Sequence, residues 1–465
     1  MKIKFAFLSI SIIVLCLFVS ATIDLDNLFN YENQTIPNYI NKDNTTTNPI
    51  TDEVATLGRV LFYDANLSSN QTIACASCHQ QDKAFGDSEV QSIGLEGGLT
   101  GRHSMRLINA RFAIETHFFW DERATTLEEQ TTMPIQDHIE MGYSGTNGDP
   151  DINDLILELE ELDYYQTLFE FAYGDSEITE ERMQLALAQF IRSIQSFDSR
   201  FDEGLTQVNN INQDFPNYSA QENLGKDLFI APPNGGGAGC IGCHQGPEFD
   251  IDPNTLNNGI LLVAGSDTEI DLTNTRAPSL RDLMNPDGTL NGPLMHNGNL
   301  TTLLQVVNHY NQMPNNPDNT NLDPRLRGPG GQPQNLNLTE NEKAAIVAFL
   351  ETLTGVDVYT NEKWSDPFDE NGEITIIGGN LSTEENDFGT NVTLYPNPVI
   401  ENLTVSISDG NYSLNIFNLL GQKLHSETMT SNIEINLSNL NSGIYVVSIQ
   451  DVTNQKSYSE KIIKR

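Results

Sequence analysis

The sequence predicts a mainly α-helical body made of two like halves, followed by a small all-β sandwich. Three observations carry that prediction. A short motif, Cys-x-x-Cys-His, occurs twice, at Cys75–His79 and at Cys240–His244. Apolar residues recur at helical spacing on both sides of each copy. Beyond residue 390 the spacing changes to alternation at period two.

The N-terminus comes first. Lys2 and Lys4 precede an apolar run from Phe5 to Val19 and the small residues Ser20 and Ala21, the pattern of a secretory signal peptide over residues 1–21. The run is short for a hydrocarbon core of about 30 Å. Cys16, the position a lipid would need, follows Leu15 where lipidation wants a small residue. Residues 22–50 read as an N-terminal extension. With 465 residues and a 38% hydrophobic fraction, the remainder can build several folded domains. Lys and Arg number 24 against 64 Asp and Glu, a net charge of −40, so the basic face that nucleic acid requires is excluded. Such a surface suits a basic or neutral partner.

Four cysteines remain after the leader. In an exported chain they could form two disulfides. Their order points elsewhere. Two thiols three residues apart reach the two vinyl groups of one haem, and the next residue, histidine, brings its imidazole to the iron. A four-cysteine zinc site is the alternative for two C-x-x-C pairs, but it leaves each histidine without a purpose. Two covalently bound haem c groups are therefore expected. Cys75, Cys78 and His79 would hold one, and Cys240, Cys243 and His244 the other.

The flanks repeat as well. Leu57–Phe62 precedes the first motif and Leu224–Phe229 the second, each an amphipathic helical turn. Leu185–Ile191 and Ala344–Leu350 close the two halves, the latter opened by Thr339 as N-cap with Glu342 three residues on. The body thus reads as two cytochrome-c-like haem domains, residues 51–205 and 206–368. An acidic linker rich in Gly and Asn, residues 369–389, follows. Alternation then runs through Leu403–Ile407, Leu414–Ile416, Ile433–Leu437 and Ile444–Ile449, with turns at Asp409-Gly410 and Ser442-Gly443. That predicts a β-sandwich over residues 390–465 with no catalytic equipment, since it lacks cysteine and has only His425.

Taken together with Phe119–Ala124, Leu127–Gln130, Pro134-Ile135, Glu140-Met141, Arg276–Arg281 and Met295–Gly298, the body resembles the bacterial di-haem cytochrome c peroxidase family, which includes the MauG-type enzymes. The resemblance implies that peroxide binds at the N-terminal haem of His79. The C-terminal haem of His244 would take electrons from a small external donor such as a cytochrome c or a cupredoxin. It also implies an electron relay at Trp120, and catalytic roles for Gln130, which orients peroxide, and Glu140, which moves its proton. Leucine stands at Leu95, where many of these peroxidases carry a histidine that ligates the N-terminal iron. An open iron is expected, with His103 as the nearby histidine that could substitute, and the glycine-rich Leu95–Gly101 reads as a mobile loop. The sixth ligand of the C-terminal iron falls on Tyr310, as in MauG-like enzymes, with Met313 and His309 as alternatives. A calcium site of the family would use the carbonyls of Asn291 and Pro293, but its asparagine falls on His103, a poor ligand for a hard cation.

The last segment resembles the C-terminal sorting domain of the type IX secretion system. The marks are Tyr395–Pro398, Phe417–Gln422, Leu440–Tyr445 and the basic end Lys461–Arg465. That implies passage through the type IX machinery to the cell surface or medium, with the periplasm as the alternative. The expected function is reduction of hydrogen peroxide to water. The alternatives are a MauG-like oxidase acting on a protein substrate, and a plain di-haem electron carrier.

Overall fold

The computed structural model describes residues 21–114, 117–251, 255–379, 392–418, 422–452 and 457–465. The expected signal peptide lies outside these residues except for Ala21, and so does most of the expected linker beyond residue 379. The described chain divides into two units, one ending at Ile377 and one beginning at Gly378.

The first unit is built on two helix pairs of the same design. Its helices, in chain order, are α1 (Asp52–Tyr63), α2 (Cys75–Cys78), α3 (Leu127–Thr132), α4 (Ile152–Glu160), α5 (Asp163–Tyr173), α6 (Glu180–Ser193), α7 (Arg200–Thr206), α8 (Ala220–Ile230), α9 (Leu303–Asn311) and α10 (Glu340–Glu351). Thr51 caps α1 and Thr339 caps α10, the latter through the expected reciprocal pair with Glu342. Helix α1 packs on α6, and α8 on α10. Each crossing is made at a glycine. A Cβ on Gly58 would stand 2.0 Å from the Ala186 carbonyl oxygen, and one on Gly225 would stand 1.9 Å from that of Ala345. In both cases a phenylalanine four residues on, Phe190 or Phe349, closes the contact at 2.9 Å. Gly225→Val is therefore expected to cost about 3 kcal/mol in urea unfolding, while Gly101→Ala, which meets nothing, stays near neutral.

Around the first pair a buried cluster gathers Leu57, Leu61, Phe62, Tyr165, Phe169, Phe190 and Ile191. Around the second, Phe201, Phe215, Phe229, Phe249, Ile346 and Phe349 form another. Helix supplies these cores rather than most of the chain. Among the described residues, 79–126 and 231–302 contain no α-helix, because these long segments wrap the two cavities described below.

Two boundaries differ from the expectation. Val358 and Trp364, read as the end of the second half, are buried in the core of the first. Side chains of the first half hold that return stretch: Tyr31 donates to the carbonyl of Lys363, Tyr63 to that of Trp364, and Arg59 to that of Ser365. The presumed linker also begins later. Strand β1 (Thr22–Asp24) pairs in parallel with a strand at Thr375–Ile377, and Ile374 and Ile376 rest on the same core. Between them in sequence lie the two-residue strands β2 (His244–Gln245) and β3 (Asp250–Ile251), which makes Thr375–Ile377 β4.

The second unit holds β5 (Thr393–Tyr395), β6 (Asn402–Ser406), β7 (Tyr412–Asn418), β8 (Lys423–Met429), β9 (Ile433–Asn436), β10 (Gly443–Asp451) and β11 (Ser457–Lys464). They form a four-stranded antiparallel sheet in the order β11–β10–β7–β8 and a three-stranded one in the order β5–β6–β9. Leu403, Val405, Leu414, Ile416, Ile435, Val447, Ile449 and Ile462 share one core. The four predicted strands are present. Strand β8 escaped notice because it alternates nothing: Lys423, Leu424 and Ser426–Thr428 are all exposed.

Candidate functional site

Two cavities lie in the first unit, one beside each Cys-x-x-Cys-His motif. Cys240, Cys243 and His244 line a cavity of about 420 Å³, and Cys78 and His79 line one of about 410 Å³. Cys240 and Cys243 thus face one space and Cys78 another, and the described residues hold no four-cysteine zinc site. Among the described residues the four motif cysteines form no disulfide.

The backbone orients the first of the two histidines. The Nδ1 of His79 lies 3.0 Å from the carbonyl of Phe85, which leaves Nε2 for a metal. That carbonyl is brought round by Ala84 and Phe85, both at positive φ, 54° and 58°. Nothing in the sequence pattern marks this turn. His244 is half-buried, its pKa pulled down to about 4 by burial while the backbone of Pro278 acts in the opposite sense.

The cavity linings differ in chemistry. Around His244 they are mostly apolar: Phe229, Ile346 and Leu350 from the helix pair, and Leu303, Val306, Val307 and Tyr310 from one face of α9. Tyr310 thus faces the space that His244 faces. Its rivals do not. Met313 and His309 both turn toward Gly259, where an added Cβ would stand 2.5 Å from Met313 Cε and 3.5 Å from His309 Cε1. His309 Nε2 is held 3.0 Å from the Asn258 carbonyl.

Around His79 the lining is more polar, with Gln130, Glu140, Arg102, Arg123 and Asp271 among apolar residues. Leu127 and Gln130 share one face of α3, so the helix presents both to the cavity. Glu140 sits in a turn whose amides bond the Asp137 side chain and carbonyl. The glycine-rich loop closes over it: Gly94 passes so near that a Cβ would stand 2.2 Å from the Ile139 carbonyl oxygen. Leu95 donates its amide to that carbonyl, and Gly94 to that of Gly98, so the segment is a hydrogen-bonded cover. Burial raises the Glu140 carboxyl to about 7, Asp137 adds to the rise, and Arg123 opposes it.

Between the cavities stands Trp120, which lines both. Its Nε1 donates to the carbonyl of His103 at 2.6 Å, and its ring centroid is 6.2 Å from that of His296. His103 also lines both cavities, with Nδ1 2.9 Å from the Glu89 carbonyl and a pKa lowered to about 4 by burial. Pro293 lines the same cavity as His103, while the Asn291 side chain donates to the Asp282 carbonyl and the Tyr359 hydroxyl.

A haem fits these walls. Arg106 and Arg276, both half-buried, line both cavities. Burial lowers both, Arg276 to about 9, and anionic propionates placed beside them would reverse that cost. Arg276 belongs to a segment singled out in the sequence; Arg106 carried no signal there.

Comparison with known proteins identifies the family. A family model described as di-haem cytochrome c peroxidase matches residues 52–210, and one described as secretion system C-terminal sorting domain matches residues 393–465. The methylamine utilization protein MauG of Methylorubrum extorquens is 31% identical over 324 residues, covering 66% of this chain and 79% of that protein. Cytochrome c551 peroxidase of Nitrosomonas europaea is 28% identical over 316 residues, 65% of this chain and 80% of that one. Among solved structures, a MauG-like protein associated with microbial copper homeostasis aligns with a TM-score of 0.58 at 28% identity, over 72% of this chain and 99% of its own. The diheme peroxidase BthA of Burkholderia thailandensis shares the fold, with a TM-score of 0.50 at 19% identity over 74% of this chain and 94% of that one.

Proposed function

Since the chain belongs to the di-haem cytochrome c peroxidase and MauG family, we propose that it reduces hydrogen peroxide to water in the cavity of His79. Electrons enter by way of the cavity of His244, from a small external donor such as a cytochrome c or a cupredoxin. The observation that carries this reading is Glu140: a carboxyl raised to about 7 by burial, in one cavity with Gln130 and His79.

Two haem c groups, bound through Cys75, Cys78 and His79 and through Cys240, Cys243 and His244, supply iron that binds peroxide and stores electrons. The protein's own residues do the rest. The His79 imidazole is held by the Phe85 carbonyl with its free nitrogen toward the cavity. Glu140, half ionised near neutral pH, takes the proton from the near oxygen of peroxide and returns it to the leaving oxygen. Gln130 orients the substrate, since an amide can hydrogen-bond but cannot carry that proton. Trp120 bridges the two cavities as the electron relay. Arg106 and Arg276 would hold the propionates of such groups. Calcium between the Asn291 and Pro293 carbonyls is not required by any of these steps.

A second reading, a MauG-like oxidase of a protein substrate, is favoured by one observation, the phenol of Tyr310 facing the His244 cavity. Tyrosinate ligation favours ferric iron. Tyr310→Phe is expected to change the visible spectrum of the oxidised protein, and Met313→Leu to leave it alone; the reverse result would assign Met313. Anaerobic stopped-flow mixing with peroxide separates the readings. Rapid turnover with a reduced donor is expected of the peroxidase. A long-lived oxidised state indifferent to small donors would mean the oxidase, and no spectral response a plain carrier. Residues 393–465 direct the protein through the type IX machinery to the cell surface or medium.

A further inference from the structure

We propose that Tyr165 and Tyr164, with Asp64 as their shared proton acceptor, form a second redox site that carries oxidising equivalents from the His79 side to the protein surface. Asp64 is buried, 3% exposed, at the C-terminal end of α1. A single one of its oxygens, Oδ2, accepts hydrogen bonds from both phenols, each at 2.7 Å. The other oxygen accepts from the backbone and side-chain amides of Asn66, both at 2.8 Å. The two rings lie 4.6 Å apart between centroids.

The pair spans the distance that matters. Tyr165 is fully buried in the first core, against which Cys75 packs. Tyr164 is half exposed. A route therefore leads from the thiol that carries the cofactor, through a dry phenol, to one at the surface.

Proton chemistry singles out these two tyrosines. Oxidising a phenol requires a base for its proton. Tyr31, Tyr63 and Tyr173 border the same core but donate to backbone carbonyls, which cannot take a proton. Tyr143 donates to Glu158 but has no ring contact among the described residues. Among the described residues, only Tyr164 and Tyr165 combine a carboxylate with a neighbouring ring. In the first step Tyr165 loses one electron to the haem tethered at Cys75, itself oxidised by hydrogen peroxide, and its proton goes to Asp64. In the second, an electron passes from Tyr164 to the Tyr165 phenoxyl. Asp64 returns its proton to Tyr165 and takes that of Tyr164 through the same oxygen. No proton has to leave the cluster.

This inference rests on the reading that Cys75 carries the peroxide-side haem. The test treats the haem-loaded protein with hydrogen peroxide, no electron donor and a nitroso spin trap, and maps adducts by peptide mass spectrometry. Adducts are expected on Tyr164, reduced about tenfold in Tyr165→Phe and in Asp64→Asn, and unchanged in Tyr173→Phe. A spectral response to peroxide without Tyr164 adducts, or adducts indifferent to Asp64→Asn, overturns the redox site while the peroxidase reading stands. Should peroxide give no spectral response, the peroxidase reading itself falls, and hexachloroiridate(IV) replaces peroxide as a one-electron oxidant. Asp64-dependent labelling of Tyr164 then still supports the pair, and labelling independent of Asp64 refutes it. Thermal unfolding of Tyr165→Phe, which keeps the ring, checks that the fold survives.

Discussion

Glu140→Gln is expected to slow the reaction with hydrogen peroxide about 100- to 10,000-fold while leaving both haems attached. The substitution keeps the shape and removes the proton acceptor, so binding should change far less than the rate. The pH profile supplies the sharper test. Burial raises this carboxyl to about 7, with Asp137 in support and Arg123 opposed. Peroxide activation needs the ionised form. The wild-type rate should therefore rise through about pH 7 and level off above it, and the variant should lack that limb. Stopped-flow rates between pH 5.5 and 8.5, about one and a half units either side, decide the matter. A limb unchanged in the variant would remove Glu140 from the mechanism.

The largest effect on stability is expected from Arg281→Met, about 3 to 5 kcal/mol. The guanidinium is 0% exposed and meets Asp202 through two bonds of 2.8 Å each. It also donates to the carbonyls of Ser196 and Pro247 and lies against Phe197, Phe201 and Phe249. Burial alone would raise the Asp202 carboxyl, but Arg281, Ser199 and Tyr39 together hold it below its ordinary value of 3.8. A depressed carboxyl stabilises the fold above the unfolded value and loses that contribution as pH falls through the folded one. In the variant the sign reverses, because an unpaired buried carboxylate is relieved by protonation. Its deficit relative to wild type should shrink toward acid pH in denaturant titrations.

The fold was legible wherever a local pattern stood for a local cause. Cys-x-x-Cys-His states its own chemistry, and Leu57–Phe62 and Leu224–Phe229 announce the two glycine crossings. Thr339 and Glu342 announce the start of α10. In the sandwich, alternation revealed strands with one wet face and missed β8, which has almost no dry one. What could not be read was set by distant partners. Val358 and Trp364 look like any other apolar residues, and only the donors Tyr31, Tyr63 and Arg59 show to which half they return. At the site, Glu140 and Gln130 were identified by resemblance, and the geometry brings both to the cavity of His79. The Phe85 carbonyl behind His79 and the half-buried Arg106 belong to no motif. One depends on a left-handed turn, the other on a cavity wall completed from both halves.

The hydrogen bond of Trp120 has its own consequence for isotope substitution. Its indole N–H is engaged by the carbonyl of His103, a base far too weak to accept a proton. An electron that leaves this ring leaves by itself and produces a radical cation. Transfer between the two cavities should then run equally fast in light and heavy water. Passage through Tyr165 and Tyr164, where each electron is matched by a proton reaching Asp64, should slow in heavy water. Deuterium thus tells apart the two proposed paths, one through Trp120 and one through the tyrosine pair.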